Sequence, residues 1–275
     1  MSAERQGRDA AAAFRAEHRL GSQPLGDLVA LIEQTTGHEV AVLDAAPDEH
    51  GLTMRDPLRD VTFIGVARTH SPMRQRSTLA HELAHVIFGD WRPDGALSER
   101  SLEEIRADSF ARHLLLPSEA ICEVFGRKAE VGETDLSAVV QRFLVSPAIA
   151  AIALQEAGYI DEVRKAEWMK LTAPQLATRQ GWSDQYLSLQ NESDRTRAPQ
   201  RLLTRATAGY QEGVVALQTI ASLRGISAES VETELAAAGV VPRTDEAQSI
   251  PASALPVVCI DLSELDSEAP EGRAG

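Results

Sequence analysis

The stretch Thr78-Leu79-Ala80-His81-Glu82-Leu83-Ala84-His85 constrains this chain most, because one helix face must carry two imidazoles and a carboxylate. At about 100° per residue, His81 and His85 project from the same face one turn apart, and Glu82 is rotated only about 60° from His85. Imidazoles so placed can share one metal ion. A carboxylate facing the same cleft can take a proton from water without being a ligand. The same residues also suit an ordinary amphipathic helix with a solvated His/Glu face opposite a Leu83 and Val86 stripe. Spacing alone leaves both readings open.

The flanking sequence predicts a helix over about 72–88, with Ser71 as cap, Pro72 at the first helical position and Gly89 as the stop. It should bury Leu79, Leu83, Val86 and Ile87. After a loop with Pro93 and Gly95, a second long helix is expected at roughly 98–115. Catalytic zinc usually has three protein ligands, and this helix carries Glu104 and Asp108 four apart on one face. One carboxylate binds metal, and the acid a turn later can hold a histidine N–H. Glu103, about 100° around the helix, is the competing ligand. Phe110, Leu114 and Leu115 would pack this helix inward. His113, on roughly the opposite face from Glu104, reads as an ordinary polar position.

Three short β-branched and apolar segments, 39–45, 51–56 and 60–69, precede the histidine helix and predict a small antiparallel sheet after a helix at 24–36. The fold class is therefore α+β. Residues 135–158 read as two helices joined at Val145-Ser146-Pro147. Their second helix offers only Gln155 and Glu156 as polar side chains, which suits packing and not DNA reading. The segment 171–200 reads as a linker or looser region, and 200–240 as two further helices. The expected organisation is an exposed N-terminal helix without a secretion signal (1–23), a core (24–133), a helix pair (134–170), a C-terminal helical unit (171–243) and an acidic, disordered tail (244–275) with a short strand at 255–262.

Asp and Glu number 41 against 27 Lys and Arg, a net charge of −14, which disfavours direct nucleic-acid binding. No apolar run approaches the roughly 18 residues of a membrane span. Cys122 and Cys259 match no metal or redox spacing, which favours a reducing, cytoplasmic setting, with Cys122 as a small buried hydrophobe.

The pair "TLAHELAHVIFGD" and, about twenty residues on, "EIRADSFARHLLLP" resembles the ImmA/IrrE family of bacterial metallopeptidases, over roughly residues 25–160. The resemblance implies a minimal gluzincin-like zinc-peptidase core. In it His81, His85 and Glu104 are the zinc ligands, with Mn²⁺ as the alternative ion, and Glu82 is the general base; Asp108 stands behind a ligand. It further implies a protease acting on a helix-turn-helix transcriptional repressor in a mobile-element or stress response. The competing function is a non-hydrolytic binding or sensor module. A substrate peptide is expected to add as a strand beside the metal, with 61–69 as the candidate edge. His70 and Tyr159 are candidate oxyanion donors, with surface or packing roles as the alternative.

Overall fold

The computed structural model describes residues 2–45, 51–91, 101–127 and 130–243. The acidic tail, its expected strand, Cys259 and the Pro93–Gly95 loop lie outside them. The protein is α+β and mostly helical.

Helix α1 (Ala3–Glu17) leads through α2 (Leu28–Thr36) to the strands β1 (Glu39–Leu43), β2 (Gly51–Asp56) and β3 (Val61–Ala67). Asp27 caps α2 by accepting from the Ala30 amide at 3.1 Å, and Gly37, at φ 72°, ends it as the sequence predicts. The sheet order is β1-β3-β2, with β1 parallel and β2 antiparallel to β3. This corrects the all-antiparallel expectation: hydrophobic alternation identifies strands but carries no information on strand order. β3 is thus the central strand, and the expected docking edge at 61–69 is internal. Val42 of β1 exchanges backbone hydrogen bonds with Arg197, at 2.8 and 2.9 Å, which covers that side. Among the described residues β2 is left as the open edge, with Leu52 and Met54 exposed on its outer face.

Val40, Val42, Ile64 and Val66 point from the sheet into the core against α3 (Pro72–Phe88). Pro72 begins α3 as predicted, but the Ser71 side chain makes no capping hydrogen bond. Leu79 and Leu83 are buried, whereas Val86 is half-buried and Ile87 is 41% exposed. Helix α4 (Leu102–Leu115) is capped by Ser101, whose hydroxyl accepts from the Glu104 amide at 3.2 Å. Small residues at the contact, Ala80 and Ala84 on α3 and Ala107 and Ala111 on α4, are buried, and the two helices pack closely.

Helix α1 is not an exposed appendage. It lies on the back of α4, burying Ala11, Phe14 and Arg15. Gly7 sets the approach: a Cβ there would stand 2.2 Å from the Arg106 carbonyl oxygen. The Arg15 guanidinium donates to the carbonyls of Leu114, Gly21 and Gln23, and burial lowers its pKa to about 10.

The chain continues through α5 (Ser118–Phe125), α6 (Glu133–Phe143) and α7 (Pro147–Glu156), the last capped by Ser146 and burying Ala150, Ala151 and Leu154. Cys122 is exposed on α5, not buried, because the helix turns Ala120, Ile121 and Phe125 inward instead. After α8 (Glu162–Trp168), the segment 171–200, expected to be loose, is largely helical: α9 (Ala173–Gln180) and α10 (Ser183–Ser193). Leu176, Ala177, Trp182 and Tyr186 anchor it to the main core, and Trp182 Nε1 donates to Ser137 Oγ at 2.9 Å. The end of α10 is tied to α3, since Gln75 Nε2 donates to the Ser193 carbonyl at 2.8 Å. The 200–240 region forms three helices, not two: α11 (Gln200–Gln211), α12 (Leu217–Arg224) and α13 (Ala228–Ala237). Gly213, at φ 74°, breaks the first expected helix. These helices share a small core of Ala206, Ile220, Ala221 and Val231. No single helix among the described residues is long and apolar enough to cross a membrane.

Candidate metal centre

Helix α3 presents His81, Glu82 and His85 to a cleft closed on one side by α4 and on another by β2. His81 Nε2 lies 3.0 Å from His85 Nε2 and 3.0 Å from Glu104 Oε2, and His85 Nε2 is 3.5 Å from Glu104 Oε1. In a tetrahedral shell with bonds of about 2.0–2.1 Å, neighbouring ligand atoms stand about 3.3 Å apart. The three donors already have that spacing, all within 4.8 Å of one another.

The far side of each ring is held by an acid. His81 Nδ1 is 2.9 Å from Asp108 Oδ1, and His85 Nδ1 is 3.2 Å from Asp90 Oδ2. A carboxylate at each Nδ1 favours the proton there, so both Nε2 lone pairs face the same point as Glu104. Such a convergence of acceptors is tolerable only with a proton or a cation among them. The donor set of two imidazoles and a carboxylate therefore fits a divalent metal. Burial works against a charge on His81, but the Asp108 hydrogen bond and the charges of Asp108, Glu104 and Glu82 together hold its pKa above the ordinary value.

Glu82 is in the cleft but outside the donor set. Thr53 Oγ1 on β2 donates to Glu82 Oε2 at 2.7 Å. Gly51, two residues earlier on the same strand face, allows this closeness, since a Cβ there would meet Glu82 Oε1 at 2.6 Å and Cγ at 2.7 Å. The strand backbone and one hydroxyl thus hold the carboxylate in place.

The structure brings His81, Glu82, His85, Glu104 and Asp108 into one cleft. Glu103, the competing ligand, is outside the donor cluster. His70 and Tyr159 are engaged elsewhere. Tyr159 Oη donates to the Gly126 carbonyl at 2.7 Å, and His70 sits beside Asp194 before α3, whose first residue is already about 13 Å along the helix from His81.

Sequence reasoning missed Asp90, Arg106, Gly51 and Thr53. Asp90 follows Gly89, whose φ of 69° reverses the chain so that the Gly89 amide donates to the Val86 carbonyl and the Asp90 amide to the His85 carbonyl at 2.9 Å. This helix-ending motif folds the residue after the glycine back onto the last turn. An acid at that position was the readable signal. Arg106 of α4 pairs with Asp90 Oδ1 and lies 4.4 Å from the centre of the Phe88 ring, tying the end of α3 to the ligand-bearing helix.

Residues 37–155 match the family model of the IrrE N-terminal-like domain, Peptidase M78. A comparison with curated proteins gives no match.

Proposed function

We propose that this chain, whose residues 37–155 belong to the IrrE N-terminal-like, Peptidase M78 family, is a zinc-dependent endopeptidase that cleaves a partner helix-turn-helix transcriptional repressor. The carrying observation is the placement of Glu82: beside a three-donor cluster, aimed by Thr53, and not itself a donor. A purely binding module has no use for a carboxylate positioned in this way.

His81, His85 and Glu104 would hold the ion. A bound Zn²⁺ or Mn²⁺ supplies Lewis acidity toward the scissile carbonyl and toward the attacking water. Glu82 takes the proton from that water and delivers it to the leaving amine nitrogen. Asp108 and Asp90 keep the imidazoles oriented and their Nδ1 protons in place. The substrate backbone adds along the open edge of β2, which runs beside Glu82, and not along β3. Leu52 and Met54 offer it apolar contact.

The setting is the cytoplasm in a stress or mobile-element response, and the repressor is met as protein without direct nucleic-acid binding. Incubating the purified protein with candidate helix-turn-helix repressors, with and without Zn²⁺ or Mn²⁺, tests this reading. Cleavage should require metal and disappear in Glu82→Gln. Repressor binding that survives while wild-type protein cleaves nothing would favour the non-hydrolytic module.

A further inference from the structure

A second set of ligand-type side chains meets at the other end of α4. Glu4 of α1, His113 of α4 and Glu156, the last residue of α7, bring a ring nitrogen and two carboxylate oxygens within 4.8 Å of one another. His113 is nine residues from Glu104, on roughly the opposite face of the helix, so this group is separate from the α3 cleft.

The sequence reading of His113 as an ordinary polar position does not hold, because its imidazole is buried while both carboxylates are exposed. Among the described residues neither ring nitrogen has a hydrogen-bond partner and neither is sealed from solvent, so an incoming ion finds an open lone pair on the ring. Burial first, then the charge of Arg112, holds its pKa below the ordinary value, so the ring is neutral and has a lone pair to give. Glu4 gives Oε1 to Arg112, which leaves its second oxygen available. Arg8 and Glu119 also act on the ring from nearby. Being exposed, the two glutamates can close the remaining distance to bonding range by rotamer change.

We propose that Glu4, His113 and Glu156 form a second divalent-cation site that takes Zn²⁺, with water completing its shell, and that it fastens α1 and α7 to the C-terminal end of α4. One imidazole with two carboxylates is a donor set suited to that ion. The first turn of α1 is already fixed for the purpose, since Ser109 Oγ donates to the Glu4 carbonyl at 2.7 Å. A metal there would add α7 to that joint.

The test is a Zn²⁺ titration of tag-free full-length protein against a chromophoric chelator. Wild type should take two equivalents, and the His81→Ala/His85→Ala double variant one. His113→Gln and Glu156→Gln should each take one as well. In the double-variant background Zn²⁺ should still raise Tm, and adding Glu156→Gln, an exposed change at a helix end, should remove that rise. A single equivalent in wild type, lost in the double variant, overturns the second site and leaves the α3 site standing. Two equivalents in both His113→Gln and Glu156→Gln also overturn it.

Discussion

Gly51 of β2 passes so close to Glu82 that a methyl group on it would overlap the carboxylate, 2.6 Å from Oε1. A strand and the helix behind it are thus fitted around the carboxylate proposed to move the proton. Gly51→Ala should displace Glu82 while leaving the three donors untouched. A misplacement of about 1 Å can cost on the order of 100-fold in rate. Repressor cleavage should fall by that order with metal content unchanged. Wild-type cleavage in the variant would show that the contact does not position the base.

Thr53→Val removes the one hydroxyl that donates to Glu82 while keeping the side-chain shape. The expected result is a lower kcat with little change in KM, because the hydroxyl orients the carboxylate and does not bind the peptide. A change confined to KM would place Thr53 in substrate binding instead.

Asp90 is 6% exposed and holds both His85 Nδ1 and Arg106. Asp90→Asn should weaken Zn²⁺ binding at the α3 site by about 10–100-fold, the usual effect of removing an acid behind a ligating histidine. Asp90→Ala should also destabilise the fold, by about 3 kcal/mol, because it strands the largely buried Arg106 guanidinium. Urea unfolding of the two variants beside wild type measures the difference. Equal stability of Asp90→Ala and wild type would show that the pair holds nothing together.

Gly7 lies where α1 crosses α4. Gly7→Val forces the helices apart and should lower stability by about 1–3 kcal/mol, as overpacking does. Thermal unfolding monitored by circular dichroism reads this out. An unchanged Tm would mean that α1 is held loosely.

Much of the cleft is legible because helical spacing is rigid. Once 72–88 and 102–115 are helices, His81, His85 and Glu104 have few ways to face each other, and the small residues Ala80, Ala84, Ala107 and Ala111 let them approach. Gly37, Gly89 and Ser146 also mark their helix ends directly, whereas Asp27 and Ser101 cap helices that the hydrophobic pattern alone starts too early, at 24 and about 98. What escapes is set by tertiary contact. Nothing in β1, β2 or β3 says which is central, so the edge beside Glu82 is misplaced from sequence. The polar segment 171–200 reads as loose because its anchors, Leu176, Trp182 and Tyr186, are sparse and gain their value only by reaching the main core. Gly7 looks like a helix weakener until α4 is seen pressed against it. His113 looks polar and solvated until α1 and α7 cover it.

The most direct test of the central claim sets metal content beside cleavage in four proteins. Relative to wild type, His81→Ala and Glu104→Ala should each lose one equivalent of Zn²⁺ and all repressor cleavage. Glu82→Gln should keep wild-type metal content and lose cleavage alone. Full metal retention in both ligand variants, or undiminished cleavage in Glu82→Gln, would contradict the account.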